Sequence, residues 1–399
     1  MLEVEEARRR ILEGFSPLPR VEVAVADAAG MVPTADLFAP HPLPRFDNSA
    51  MDGYAVRRSD VSVVPMTLDV RGEVRAGDAG SSVVGAGTAV RIMTGAPLPP
   101  GADAVVPVED TTEADGVVTI TAAPPASGHV RPAGDDVKEG DRIVAAGSEL
   151  GAGELALIAS MGLSPVSVCR RPHVVVLSTG DELVAPEEEP GPGQIRDSNS
   201  IALRTLAIEA GATVSVLGPV ADERAAVRDA IVEATRSADL IVSSGGASVG
   251  RYDFVKEVVE ELGAIEFWRV AMQPGKPVVS GHVANVPFLG LPGNPVSIHI
   301  GFEQFVRPAV RKMRGCKQLL RPSINARFAS RIEKRPGRLH FVRVRLAFTE
   351  DGVVATPTGG QGSHIQSSLV DCHGVARFGI DRSVLEAGDE VTVEVWRLP

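Results

Sequence analysis

The sequence predicts a multidomain chain of mixed α/β and β class: a doubly wound α/β domain flanked by an inserted β domain and a C-terminal β domain. Three observations predict it. Residues 172–315 alternate short β-branched apolar runs with stretches of helical periodicity, the pattern of a largely parallel sheet with helices on both faces. Residues 57–140 and 321–399 instead carry strand-sized apolar/polar alternation between glycines, with no helical period. A chain of 399 residues also exceeds what one hydrophobic core ordinarily holds.

In order along the chain, Val4, Ala7, Ile11, Leu12 and Phe15 fall on one face of a helix with arginines opposite. Short apolar runs over 21–37 lead into Pro40-His41-Pro42-Leu43-Pro44, an extended stretch that sets a boundary near residue 45. The expected division is 1–45 with 141–170 as a discontinuous N-terminal domain, 46–140 as the inserted β domain, 171–315 as the α/β domain and 321–399 as the C-terminal β domain. In the inserted domain Thr67-Leu68-Asp69-Val70 and Val117-Val118-Thr119-Ile120 read as strands, and the run from Val90 ends in a turn carrying Thr94. Leu155, Ala156, Ile158 and Ala159 mark a helix stopped by Gly162. From Pro172 the expected order is strand 174–177, helix 200–210, strand 214–217, a helix with Val227, Ile231 and Ala234 inward, strand 240–242, a helix with Val255, Val258, Val259 and Leu262 inward, strand 265–270 and a helix over 298–313.

Composition narrows the function classes. Acidic residues outnumber basic ones, 51 to 40, for a net charge of -11, which argues against a general nucleic-acid or anionic-membrane binder and requires any anionic ligand to be held locally. Cys169, Cys316 and Cys372 are far apart and form no CxxC pair, so neither a disulfide framework nor a structural zinc site is indicated. The N-terminus is charged and no apolar run reaches membrane-spanning length, so the expectation is a cytoplasmic protein with no membrane partner.

Candidate chemistry collects at the carboxyl ends of the predicted parallel strands, where open α/β sheets bind ligands. Ser178-Thr179-Gly180-Asp181-Glu182 ends one strand, and a segment with Ser243, Gly245, Gly246, Ser248, Gly250 and Asp253 joins the central strand to its helix. These glycines suit a plain tight turn, or a cradle whose N–H groups converge on an oxyanion at a helix start. Asp253, in the first helical turn, is a dipole and capping group or a ligand for a cation brought by phosphates. Lys276, between Gly275 and Pro277, is an oxyanion hook or an ordinary surface lysine. The segment 45–56 is a hairpin or a loop whose Asp47, Ser49 and Asp52 face a site.

Taken together, FDNSAMDGYAV at 46–56, RIMTGAPLP at 91–99, STGDEL at 178–183, GQIRDSN at 193–199, SSGGASVGRYDF at 243–254, QPGKP at 273–277, GLPGNPVS at 290–297, and QGSH with SSL over 361–369 make the chain resemble the molybdopterin molybdenumtransferase family, MoeA and the gephyrin E domain, over essentially its whole length. The resemblance implies a molybdopterin-binding-like α/β domain and an enzyme that inserts molybdate into adenylylated molybdopterin with release of AMP, the final step of molybdenum cofactor biosynthesis. It implies catalytic roles for Asp52, Thr94, Glu182, Asp222 and Asp253. Substrate binding falls to Ser178, Gly180, Asp181, Ser243, Gly245, Gly246, Ser248, Gly250, Pro292, Gly293, Asn294 and Pro295, and molybdate to Gln273, Lys276, Ser297, Arg343 and Ser363. Mg2+ is expected on Asp181, Glu182 and Asp253, since pyrophosphate cleavage needs charge neutralisation by a hard cation. Gln273 stands where many members carry a lysine. The family also implies a homodimer, dimerising through the N-terminal domain, whose composite site takes Asp52 and Thr94 from the other subunit. The pathway adenylyltransferase and recipient molybdoenzymes are the expected protein partners. Two other classes share some of these motifs: a nucleotide-transfer enzyme of the adenylyltransferase type, which needs no flanking β domains, and a gephyrin-related assembly scaffold, which needs further interaction segments.

Overall fold

The computed structural model describes residues 1–78, 82–245 and 254–399. The chain forms two compact units, one of Met1–Thr34, Gly147–Gly151 and Pro165–Pro399, the other of Ala35–Ala146 and Ala152–Ser164.

The smaller unit is built on a six-stranded sheet in the order Ala104–Pro107, Gly53–Val56, Thr88–Ile92, Met66–Val74, Val117–Ile120, Thr111–Ala114. All neighbours are antiparallel except Met66–Val74 with Thr88–Ile92. Both faces are covered, so the period-two alternation splits two cores: Tyr54, Val56, Leu68, Val106 and Val118 pack on one side, and Ala55, Val74, Val90, Ile92 and Val105 on the other. The expected strands at 67–70 and 117–120 pair directly, Thr67 opposite Thr119 and Leu68 opposite Val118.

In the larger unit the central sheet runs Thr213–Val220, His173–Thr179, Leu240–Ser244, Val286–Leu291, Pro277–Val283, Gly263–Arg269. Its first four strands are parallel and the last two join antiparallel. Alternate residues of the parallel strands serve opposite faces. Val174, Val176, Leu240, Val242 and Leu289 meet Leu203, Leu206, Ile298 and Phe305. Val175, Leu177, Ile241 and Phe288 meet Val227, Ile231, Val255 and Val259 from the helices Arg224–Ala234 and Phe254–Leu262. Each such fully buried aliphatic side chain contributes roughly 1.5–3 kcal/mol, and helices on both faces make the sheet doubly wound. The hairpin over 277–291 is an element that the strand–helix alternation did not reveal. The last helical run also begins earlier than expected, with Pro295 in its first turn, and passes through a π segment at Phe302–Val306 before Arg307–Met313.

The C-terminal strands Leu339–Thr349, Gly352–Pro357, Ser323–Phe328, Glu390–Val395 and Gly374–Phe378 follow one another, and the last pairs back to the first. Closure of this kind removes free edges. Their core holds Phe328, Val342, Val344, Phe378 and Val393, while Leu339, Phe341 and Val375 turn the other way and pack into the α/β core. Met272–Gln273 adds a short parallel pairing, Gln273 opposite His340, which fixes the loop at 273–277 against the barrel.

Candidate functional site

His173–Thr179 delivers its chain end into Gly180, whose φ of +151° and N–H bond to the Val220 carbonyl (3.1 Å) turn it sharply. A Cβ on Gly180 would lie 2.6 Å from the Glu182 carboxylate, so glycine is what lets that acid fold back over the turn. The Asp222 N–H donates to Asp181 Oδ1 at 2.9 Å, and the Asp222 carboxyl is held above the usual aspartate range by burial and by the charges of Asp181 and Glu182. The strand ends thus gather three acids. Among the described residues no group of three acids, histidines or cysteines converges closely enough to hold a metal by itself.

One strand over, Ser243 Oγ donates to the Gly245 carbonyl (3.2 Å), and Gly245, at φ +96°, donates its N–H to the Leu291 carbonyl (3.0 Å). Ser178 Oγ is buried with no hydrogen-bond partner among the described residues. Gly246, Ser248, Gly250 and Asp253 lie outside the described residues.

On the next strand, Val286–Leu291, the chain enters a pocket of about 370 Å³. Gln273, Lys276, Pro292, Gly293, Asn294, Ser297 and Ser363 line it, joined by Arg338 and Gln361. Pro295 is half-buried just beyond, in the first turn of the helix Pro295–Gly301. The first seven are residues that the sequence reading expects at the site. Arg338 it missed, because nothing in the spacing of an arginine at the head of a strand says where its side chain will end. Among the described residues no aspartate or glutamate lines the pocket, and neither Lys276 nor Arg338 has an ion pair or side-chain hydrogen bond. Two cations without a paired acid among the described residues, in a chain of net charge -11, are the kind of local positive charge that holding an anion requires. Asn199 Nδ2 donates to the Gly293 carbonyl (2.7 Å) and Val296 N–H to the Ser363 carbonyl (3.1 Å), tying the lining loops in place.

Arg343 is not among the lining residues. Its side chain is fully buried, with Nε on Ser368 Oγ (2.7 Å) and Nη2 on the Gly360 and Gly362 carbonyls (3.0 and 3.2 Å). The Gln361 amide grips the same backbone, accepting from Arg343 N–H (2.8 Å) and donating to its carbonyl (3.2 Å). Burial pushes the Arg343 guanidinium down to about 10. Where the sequence suggested a ligand, the structure has a brace behind the loop that presents Gln361 and Ser363.

In the smaller unit, Asp52 Oδ1 accepts from Thr94 N–H (2.6 Å) and Thr94 Oγ1 (2.7 Å), and these bonds hold its carboxyl below the ordinary range. Both residues are exposed. Asp47 accepts from Ala133 N–H (2.7 Å), tying its loop to a segment 86 positions on, and the Ser49 hydroxyl donates to the Met51 carbonyl (2.5 Å) within its own loop.

Three family models match in succession: "MoeA N-terminal region (domain I and II)" over residues 2–162, "Probable molybdopterin binding domain" over 175–312, and "MoeA C-terminal region (domain IV)" over 325–396. A molybdopterin molybdenumtransferase of Haemophilus influenzae is 39% identical over 398 residues, covering 99% of this chain and 98% of that protein. The molybdopterin molybdenumtransferase 2 of Mycobacterium tuberculosis is 36% identical over 408 residues, covering all of both. The crystal structure of a molybdopterin biosynthesis MoeA protein from Pyrococcus horikoshii superposes with a TM-score of 0.84 at 32% identity, covering 100% of this chain and 99% of that one.

Proposed function

Because the chain belongs to the molybdopterin molybdenumtransferase (MoeA) family, we propose that its sheet edge is the molybdenum-insertion site, with two stations side by side. The protein is an enzyme that transfers molybdenum to molybdopterin in molybdenum cofactor biosynthesis. The finer reading is that it takes adenylylated molybdopterin and molybdate and releases AMP.

The strands ending at Thr179 and Leu291 both neighbour Leu240–Ser244, so the acidic and basic stations lie two strand spacings apart, about 10 Å. That separation suits a substrate whose anhydride lies at one station and whose dithiolene reaches the other. At the acidic station Gly180, Ser243 and Gly245, whose own donors are engaged within the fold, shape the walls around the phosphates, and the donors are expected from the Ser178 hydroxyl and from residues 246–250, which lie outside the described residues. Hydrolysis of the anhydride adds the oxygen of water to one phosphorus as the bridging P–O bond breaks, giving AMP and the pterin phosphate, and the negative charge on the two products is what N–H donors from residues 246–250 would stabilise. Asp181 and Glu182, joined by Asp253 from outside the described residues, are the all-oxygen donors that would hold Mg2+ here. When bound, that ion neutralises charge on the bridging and leaving oxygens. Asp222, with its proton held above the usual range, is the group for proton transfer at this end.

At the basic station Lys276 and Arg338 supply charge, and Ser297, Ser363 and the Gln273 amide supply polar contacts around a tetrahedral dianion. The dithiolene arrives with the substrate, so the buried free cysteines Cys169, Cys316 and Cys372 are not needed as ligands. The reading includes a homodimer in which Asp52 and Thr94, pre-set by their mutual hydrogen bonds, are supplied by the partner subunit. It also includes a cytoplasmic setting between the adenylyltransferase that makes the substrate and the molybdoenzymes that take the product. Among the described residues no helix is long and apolar enough to cross a membrane.

The observation that carries this reading is a pocket in which, among the described residues, Lys276 and Arg338 have no paired acid. Purified protein given adenylylated molybdopterin tests it by AMP release: release that rises and saturates with molybdate supports the reading, and release indifferent to molybdate contradicts it.

A further inference from the structure

The pocket residue Arg338 ends the chain segment Lys334-Arg335-Pro336-Gly337-Arg338, three cations in five residues of an acidic protein. Arg338 lines the pocket. Arg335 is exposed and has no ion pair or hydrogen bond among the described residues. Lys334 is held back, its ammonium 4.8 Å from the Phe378 ring centre and donating to the Ile380 carbonyl (3.3 Å). The Gly337 N–H donates to the same carbonyl (2.8 Å), which pins the turn. The nearby acids are Asp381, which faces Lys334, and Glu333, which is engaged by Arg331 at 2.7 Å. Behind the turn Arg338, Lys334 and Arg343 crowd the buried His340 and help keep it neutral, after the larger effect of burial. Cations that repel one another without paired acids gain when an anion approaches.

Taking the pocket as the oxyanion site, as read above, we infer that residues 334–338 are an electrostatic collector for small tetrahedral dianions, in which Arg335 acts through its field and never touches the bound ion. Arg335 stands three residues from Arg338, a separation on the order of the roughly 8 Å screening length at physiological salt. Its contribution is therefore felt at low ionic strength and fades at high.

The test is the molybdate concentration for half-maximal AMP release in wild type, Arg335→Gln and Arg335→Glu, measured from about 20 mM to about 500 mM salt. At low salt Arg335→Glu raises that concentration about three- to tenfold and Arg335→Gln by a smaller factor. Turnover at saturating molybdate stays unchanged, and the three proteins converge at high salt. Equal half-saturation at low salt, in variants with wild-type circular dichroism, overturns the collector alone. An increase that persists undiminished at high salt also overturns it, by making Arg335 a contact residue. Wild-type AMP release that does not depend on molybdate overturns the site reading itself.

Discussion

Arg343 Nε donates to Ser368 Oγ at 2.7 Å while the same guanidinium holds the Gly360 and Gly362 carbonyls, so one fully buried cation sets the shape of the loop that bears Ser363. Replacing it by glutamine removes the bonds to Ser368 Oγ and to the Gly360 and Gly362 carbonyls and leaves a smaller polar group in a fully buried position. We expect Arg343→Gln to cost about 2–4 kcal/mol of stability, read from denaturant unfolding. The half-saturating molybdate concentration should rise as the loop slackens. Unchanged unfolding would mean the brace carries no weight.

Gly293 lines the pocket, yet its φ is not left-handed and a Cβ there meets nothing within 4 Å. Neither backbone nor packing demands a glycine at this exposed position, so an effect of a side chain there on ligand binding would report contact with the ligand. Gly293→Ala is expected to leave the thermal midpoint unchanged or slightly higher, because the unfolded chain loses freedom. Binding of the pterin nucleotide, measured by calorimetry, should weaken at least about tenfold, the scale of a steric loss of roughly 1.4 kcal/mol. Wild-type affinity would remove Gly293 from the contact surface.

How much of this was legible in the sequence follows from what each element asks of its residues. Val174, Val175 and Val176, and Ile241 with Val242, are β-branched and buried on both faces, so their strands announce themselves. The hairpin at 277–291 does not, because Pro277, Gly281 and Pro287 interrupt its apolar run, and its tight turn uses Ala284 at φ +51° rather than a signalling glycine. The motif loops located the pocket walls, since Gly275 and the prolines around Lys276 and Asn294 mark stiff turns at strand ends. Arg338 and the inward turn of Arg343 depend on barrel closure, where Leu339–Thr349 pairs with strands on either side. Asn199 lies in a motif that was recognised, but its bond to Gly293 spans 94 positions of sequence, and no local pattern encodes that.

Asp239 pins the start of the central strand. It accepts both Arg170 nitrogens (2.9 and 2.7 Å) and the His173 N–H (2.7 Å). Burial alone would raise its carboxyl, but the bonds to Arg170 and to the His173 N–H outweigh that and hold it below the ordinary range. A depressed folded-state pKa contributes stability above the unfolded value of about 3.9, and that contribution is lost as pH falls toward the folded value. Thermal denaturation across pH should show Asp239→Asn less stable than wild type at neutral pH and converging with it in acid. A gap that stays constant with pH would contradict the ionic part of this account.

The central claim is that Lys276 and Arg338 hold the molybdate while the acidic station holds the phosphates. The direct measurement pairs molybdate titrations of AMP release with calorimetric binding of adenylylated molybdopterin, in Lys276→Ala and Arg338→Ala. Each variant should raise the half-saturating molybdate concentration about tenfold or more, as loss of a charge-assisted contact does. Affinity for the pterin nucleotide should change little. Weakened nucleotide binding with an unaltered molybdate dependence would make these cations phosphate ligands and contradict the division of the site.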